Sequence, residues 1–164
     1  MALDDFWSWY ERHYVVNVVV AAALFTLQVV HLAWLTGDPV WERVFGEPAF
    51  SPAGPVRWPI VLVDYTEVPA LVSVSLVYLA ELRRGFAWRP AAFLVLLNSQ
   101  WLHLTWITDE VVARNGGGMP SWLAWVAVLI DYLELPVLVD TVRRAVLALR
   151  DGGLGATLAG PRRA

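Results

Sequence analysis

The chain has 164 residues, enough for one domain, and 58% of them are hydrophobic whereas only 16% are charged. This composition is unusual for a soluble domain and is typical of an integral membrane protein. The net charge of −3 gives no reason to expect a nucleic-acid partner, and the absence of cysteine excludes disulfides and thiolate metal sites.

Four apolar stretches are long enough, or nearly so, to cross a bilayer. They run from about Tyr14 to Leu35, Val56 to Leu82, Ala91 to Ile107 and Ser121 to Leu149. The segment before the first stretch contains Asp4 and Asp5 and lacks the basic n-region of a signal peptide, so the first helix should be retained. The predicted fold is an all-α integral membrane protein, a four-transmembrane-helix bundle over residues 1–150, followed by a flexible cytoplasmic tail over residues 151–164.

The arginines cluster between the second and third stretches and at the C-terminal end, from the last part of the fourth stretch onward. They are Arg83, Arg84 and Arg89 in the first cluster, and Arg143, Arg144, Arg150, Arg162 and Arg163 in the second. The positive-inside rule places both clusters and both termini in the cytoplasm of a multi-pass cell-membrane protein. Lysine is absent, which together with the abundance of alanine and valine favours a bacterial inner membrane. Asp140 precedes Arg143 and Arg144 by three and four residues, which predicts an interfacial ion pair.

The same polar residues occur twice inside these apolar stretches. Gln28-Val-Val-His31-Leu-Ala-Trp34 in the first stretch recurs as Gln100-Trp-Leu-His103-Leu-Thr-Trp106 in the third, and Asp64-Tyr65-Thr-Glu67-Val-Pro69 in the second recurs as Asp131-Tyr132-Leu-Glu134-Leu-Pro136 in the fourth. Two helices return the chain to the same side of the membrane. The copies, at about 14–85 and 91–150, should therefore be parallel helix-pair repeats related by a pseudo-twofold axis along the membrane normal.

An ionisable side chain inside hydrocarbon points by default to function because it is costly to bury. The pseudo-twofold axis would bring two histidines, two aspartates and two glutamates to one point, where four ionised carboxylates need protons or cations. Oxygen and nitrogen ligands without sulfur suit iron, manganese or zinc. We predict a pair of divalent metal ions, with a ligand inventory like that of di-iron carboxylate bundles. The predicted ligands are His31, Asp64, Glu67, His103, Asp131 and Glu134, and the four carboxylates among them are also the candidate catalytic residues.

Residues beside the predicted ligands have predicted supporting roles. Glutamines on the same helix faces as the histidines should orient ligands, tryptophans should cap the site on its outer side, tyrosines should hydrogen-bond across helix interfaces, and prolines should kink their helices. These residues are Gln28 and Gln100, Trp34 and Trp106, Tyr65 and Tyr132, and Pro69 and Pro136.

The layout also resembles the four-helix membrane domain of the emopamil-binding-protein and sigma-2-receptor (EXPERA) group. The matching positions are His31, Glu67 with Pro69, His103, and Tyr132 with Pro136. The resemblance implies a lateral, lipid-facing pocket for a sterol or similar ligand and, in the enzymes of the group, an acid–base pair that moves a double bond. The duplicated Asp-Tyr-x-Glu-x-Pro segment departs from that pattern.

The predicted function is that of a metal-dependent dinuclear enzyme acting on a lipid, quinone or isoprenoid that enters from the bilayer. The alternatives are a metal-free acid–base isomerase or cyclase, a transporter of metal ions or protons, a haem protein with two axial histidines, and a purely structural set of buried hydrogen bonds. Valine, leucine and alanine dominate the cytoplasmic halves of the helices, which favours a one-sided site over a conduit.

Overall fold

A computed structural model describes residues 2–50, 55, 57–108 and 121–152, and this part of the chain contains helices and no strand. The helices are α1 (Ala2–Arg12), α2 (Tyr14–Leu35), α3 (Trp41–Phe45), α4 (Arg57–Arg84), α5 (Trp88–Asn98), α6 (Gln100–Thr108), α7 (Ser121–Tyr132) and α8 (Leu135–Gly152), with a π-helical turn at Thr36–Val40 between α2 and α3. The all-α prediction is confirmed. The predicted flexible tail begins at residue 151, but α8 includes residues 151 and 152, and the remainder of the tail lies outside the described residues.

Three stretches of helix are long and apolar enough to cross a membrane, whereas the sequence predicts four. They are Tyr14–Phe45, Tyr65–Arg84 and Trp122–Asp151. The remaining predicted span is divided at Ser99 into α5 and α6, with 11 and 9 residues, and neither is long enough alone. The backbone bonds continue across the division, because Ser99 N donates to Val95 O and Leu102 N donates to Ser99 O.

Helix α2 lies at the centre of the packing. It contacts α4 and α8 along much of its length, while α4 also packs on α5, and α6 packs on α7. Burial of apolar side chains holds these helices together. The core between them contains Val18, Ala21 and Phe25 of α2, Ala70, Leu71 and Val74 of α4, Leu97 of α5 and Val137 of α8.

The bundle has two chemically different ends. We call the end where α2 and α6 stop and α7 starts the histidine end, and the end where α4 and α8 stop the arginine end. Helix α1 lies at the arginine end, where Trp7 and Tyr10 pack with Ala80 of α4. The Arg83 guanidinium lies 4.8 Å from the centre of the Trp7 ring, a cation–π contact that attaches α1 to α4.

The two prolines of the repeat have different effects on their helices. Helix α4 continues through Pro69, but α7 and α8 are separated at Leu133 and Glu134, just before Pro136. The bonding tightens there, since Glu134 N donates to Asp131 O, three residues earlier, and Leu133 N shares its proton between Leu129 O and Ile130 O, four and three residues earlier. The helix is thus interrupted just before Pro136, where the sequence predicted a kink, whereas α4 stays helical at Pro69.

Candidate metal centre

Two histidines from different helices converge on one aspartate at the histidine end. His103 Nε2 of α6 lies 3.3 Å from Asp131 Oδ1 of α7, and His31 Nε2 of α2 lies 3.7 Å from Asp131 Oδ2. The centres of the two imidazole rings are 6.2 Å apart. All three side chains are buried, with 4% or less of each residue exposed. The structure therefore places three predicted ligands at one water-poor point.

The spacing of these side chains matches a metal site. Each residue offers one ligand atom, and these atoms all lie within 4.8 Å of one another. The N···O separations of 3.3 and 3.7 Å exceed a typical hydrogen-bond length, and two ligands about 2.0 Å from a tetrahedral ion would lie about 3.3 Å apart. Two histidines and one carboxylate form a ligand set suited to zinc or non-haem iron. This buried group could hold a metal ion.

Packing between α2 and α7 fixes the position of Asp131. Leu32 and Leu35 of α2 form a small apolar cluster with Val128 of α7, one turn before Asp131. Next to Asp131, the Tyr132 hydroxyl lies 2.6 Å from Thr36 Oγ1, at the start of the π-helical turn. These contacts on both sides hold the carboxylate toward His31. The cross-helix hydrogen bond predicted for Tyr132 is confirmed, whereas its counterpart Tyr65 is 43% exposed.

The two glutamines of the repeat anchor their helices in parallel ways. Gln28 Nε2 donates to Thr66 Oγ1 of α4 at 3.2 Å, and Thr66 in turn donates to Val63 O. Gln100 Nε2 donates directly to Ile130 O of α7 at 3.0 Å. In the sequence repeat Ile130 corresponds to Val63, so each glutamine bonds the same carbonyl position, once through a threonine and once directly.

Three of the six predicted ligands are not part of the close group. Glu67 of α4 and Glu134, between α7 and α8, are buried at 4% and 2% exposure, but they do not belong to the three-residue cluster. Glu134 lies one turn from Asp131 and interacts electrostatically with His31 and Asp131. The Asp64 side chain lies outside the described part of the structure. Both histidines face Asp131, one at each of its carboxylate oxygens.

Trp34 lies beside the centre, as its predicted capping position requires. Its ring centre is 6.0 Å from that of His31, and its indole Nε1 donates to Asp38 Oδ2 at 3.1 Å. Asp38 belongs to the π-helical turn, so this bond ties the tryptophan to the segment that follows α2. Trp106 on α6 is half-buried.

A second buried polar cluster lies at the arginine end and was only partly predicted. Asp140 Oδ2 accepts hydrogen bonds from Tyr78 at 3.0 Å and from Arg144 Nε at 2.6 Å, while Oδ1 accepts one from Arg89 at 2.8 Å. Arg144 also forms an ion pair with Glu81 at 2.6 Å. The ion pair between Asp140 and Arg144 confirms the sequence prediction. Tyr78 and Arg89 come from α4 and α5, and spacing along one helix gives no signal for them.

A cavity of about 440 Å³ opens at this same end of the bundle. The cavity lies between the start of α2 and the last turns of α8. The residues that line it are Tyr14, Val15, Arg144, Leu147, Ala148 and Asp151. This cavity is thus lined by residues separate from those of the metal centre.

Comparisons of the chain with protein-family models, with curated proteins and with solved structures find no match. Any functional conclusion therefore depends on the chemistry of the site itself.

Proposed function

We propose that this chain is an integral-membrane metal-binding protein that acts as a metal-dependent enzyme on a hydrophobic substrate. The observation that carries the proposal is the convergence of His31 and His103 on the buried carboxylate of Asp131. Polar bonds between membrane helices average about 0.6 kcal/mol, which is a small return for burying three ionisable groups. A divalent ion would neutralise the carboxylate and use the histidines as neutral ligands.

The bundle is proposed to span the membrane four times, with α5 and α6 together forming the third span. Three long apolar helices support membrane insertion, and α5 with α6 covers a further stretch from Trp88 to Thr108. The neighbour pattern supports two parallel helix-pair repeats, because α2 touches both α4 and α8, while α5 touches both α4 and α8. The arginine end would then face the cytoplasm.

The centre is proposed to hold two divalent ions, chosen from iron, manganese and zinc. His31, His103 and Asp131 would bind the first ion. Glu67 and Glu134, with Asp64 as a further sequence candidate, would serve a second ion or transfer protons. The metal selects the reaction class: iron or manganese would support oxidation with molecular oxygen, and zinc would act as a Lewis acid in hydrolysis or isomerisation.

The substrate is proposed to be a lipid, quinone or isoprenoid that reaches the centre from the bilayer. The site is buried among apolar helices, so a hydrophobic molecule would arrive without an aqueous path. Between the centre and the arginine end, Phe25, Leu71, Val74 and Val137 are fully buried and apolar. This packing supports a one-sided enzyme site over a transport path for ions.

Metal analysis of detergent-purified protein tests the proposal. We expect at least one equivalent of iron, manganese or zinc per chain, and at least a tenfold loss in Asp131→Asn and in His103→Gln. Asp140→Asn is the matched control, because it changes a buried aspartate at the arginine end and should leave the metal content unchanged. Folded wild-type protein that neither contains nor takes up metal would overturn the proposal and favour the metal-free acid–base isomerase.

A further inference from the structure

A second layer of buried polar side chains lies one helical turn further into the bundle than the histidines. Gln28 precedes His31 by three residues in α2, and Gln100 precedes His103 by three residues in α6. Three residues correspond to about 4.5 Å along a helix. Glu134 follows Asp131 by three residues, and because α7 runs in the opposite direction it also lies deeper. Gln28, Gln100 and Glu134 are all exposed by 2% or less.

The orientation of both glutamine amides is fixed by their partners. Ile130 O can only accept a hydrogen bond, so Gln100 must present its nitrogen to it. Thr66 already donates its hydroxyl proton to Val63 O, so it can only accept from Gln28. Each amide oxygen is therefore turned away from its anchoring partner.

These two amide oxygens need a ligand. Within the described part of the chain, Gln28 Oε1 and Gln100 Oε1 are buried and accept no hydrogen bond. Leaving a buried acceptor without a hydrogen bond costs about 1–3 kcal/mol. Here two acceptors lack one, and they belong to corresponding residues of the repeat. Both oxygens lie on the helix faces that carry His31 and His103. A bound species inside the bundle would satisfy them.

The charge of the region indicates a cation as that species. Asp131, Glu67 and Glu134 are three buried carboxyl groups, and the sequence repeat supplies Asp64 as a fourth. Four ionised carboxylates balance two divalent ions, whereas one ion at the histidines alone would leave the region with a net negative charge. An uncompensated charge inside a bundle is strongly unfavourable. Each glutamine is anchored at a carbonyl position that lies four residues before a buried glutamate: Gln28 at Val63 through Thr66, before Glu67, and Gln100 at Ile130, before Glu134. The available donors are all oxygen atoms, which hard divalent cations prefer.

We propose that Gln28, Gln100, Glu67 and Glu134 bind a hard divalent cation of the Mg²⁺ or Mn²⁺ class, distinct from the ion held by His31, His103 and Asp131. The glutamines are then direct ligands through their amide oxygens, rather than groups that only orient the histidines. The centre then holds two different ions. The outer position has nitrogen and oxygen ligands, from the histidines and Asp131, and the inner position, one turn deeper in the bundle, has only oxygen ligands. This inference rests on the proposed function, since it assumes that the outer position binds a metal ion.

Sequential metal loading of the full-length protein in detergent tests the inference. Metal-stripped protein is first given Zn²⁺, which outcompetes Mn²⁺ at mixed nitrogen and oxygen ligands, and then titrated with Mn²⁺. Bound metal is measured by mass spectrometry, and bound Mn²⁺ also by electron paramagnetic resonance. We expect one Zn²⁺ and one Mn²⁺ per chain in the wild type.

Variants separate the two positions. The Gln28→Leu, Gln100→Leu double variant should lose at least tenfold in Mn²⁺ affinity and keep its Zn²⁺, while Asp131→Asn should lose Zn²⁺. Gln28→Glu retains an oxygen ligand, so it should keep Mn²⁺ binding and serves as the informative variant if the double leucine variant does not fold. Asn98→Leu, which changes an exposed amide of α5, should keep both metals.

Two results would overturn this inference while leaving the proposed function intact. One is wild-type protein that binds Zn²⁺ but no Mn²⁺. The other is a double leucine variant whose Zn²⁺ affinity falls about 10–100-fold while Mn²⁺ binding is unchanged, as expected if the glutamines only orient the histidines. Wild-type protein that binds neither metal would overturn both the inference and the proposed function.

Discussion

At the scale of single residues, Asp131 organises the candidate centre. One of its carboxylate oxygens faces His103 and the other faces His31, so two helices that are not adjacent in sequence meet at one side chain. Its neighbour Tyr132 links α7 to the end of α2 through Thr36. Residues beside the ligands thus help to hold Asp131 in place.

The Tyr132 contact gives a residue-scale prediction. Tyr132→Phe removes the bond to Thr36 and should lower the free energy of unfolding by about 0.5–1.5 kcal/mol. Tyr65→Phe is the matched control, because Tyr65 occupies the corresponding position of the first repeat but is exposed, and it should change stability by less than about 0.5 kcal/mol. Thermal or denaturant unfolding in detergent measures the difference. Equal effects of the two substitutions would contradict the structural role of this contact.

At the scale of helices, the interruption before Pro136 positions the inner carboxylate. Glu134 lies in the short segment between α7 and α8, where its own N–H bonds the carbonyl of Asp131, three residues earlier, instead of the carbonyl four residues earlier. A proline provides no amide proton for the carbonyl four residues earlier, so the helix is weakened at this point. The corresponding proline of the first repeat, Pro69, lies inside α4, which stays helical. The two halves of the repeat therefore differ in the continuity of their second helix.

This difference predicts unequal effects of removing the prolines. Pro136→Ala restores a backbone donor, so α7 and α8 should join and the Glu134 carboxyl should shift. We expect at least a tenfold weaker Mn²⁺ affinity in Pro136→Ala and less than a threefold change in Pro69→Ala. Titration of Zn²⁺-loaded protein, with electron paramagnetic resonance as the readout, measures both values. An effect of Pro69→Ala as large as that of Pro136→Ala would count against the interruption as the cause.

The polar cluster at the arginine end links three helices and gives a second prediction at this scale. Asp140→Asn removes the negative charge that pairs with both Arg89 and Arg144, which should destabilise the fold by about 2–4 kcal/mol. This loss is smaller than that for a fully buried ion pair, because Arg89 is half exposed and solvent screens its charge. The metal content should not change, since this cluster lies at the other end of the bundle. Asp151→Asn, at an exposed aspartate near the end of α8, is the control and should be neutral. A loss of bound metal in Asp140→Asn would mean that the two ends are coupled.

At the scale of the whole molecule, the number of membrane spans determines which ends of the chain share a compartment. If α5 and α6 together cross the bilayer, the start of α5 and the end of α8 lie on one side, and the segment between α6 and α7 lies on the other. If they do not cross, the end of α8 lies on the opposite side from the start of α5. The two arrangements therefore differ in the side of the membrane that carries the end of α8.

The absence of native cysteine makes this arrangement directly measurable. We introduce single cysteines as Ala49→Cys, Ala87→Cys, Ala113→Cys and Asp151→Cys, and label intact cells with a membrane-impermeant maleimide. The four-span arrangement predicts labelling at positions 49 and 113 only, with positions 87 and 151 labelled after the membrane is permeabilised. Labelling of position 151 without permeabilisation would contradict the four-span arrangement.

Much of the fold and part of the site followed from the sequence alone. Apolar stretches of bilayer length predicted helices, and the recurrence of the polar residues predicted six ligands, of which His31, His103 and Asp131 lie together. These predictions succeed because hydrophobic length and the burial cost of ionisable groups act on each segment separately.

Only the tertiary structure decided which of the repeated residues meet. The sequence treats His31 and His103 as equivalent and gives no reason for both to face Asp131, and it does not predict the contacts of Tyr78 and Arg89 with Asp140. It also does not reveal that the helix of the third stretch is divided at Ser99. The physical reason is that periodicity along one helix sets the direction of a side chain, whereas the packing of helices against one another sets its partner.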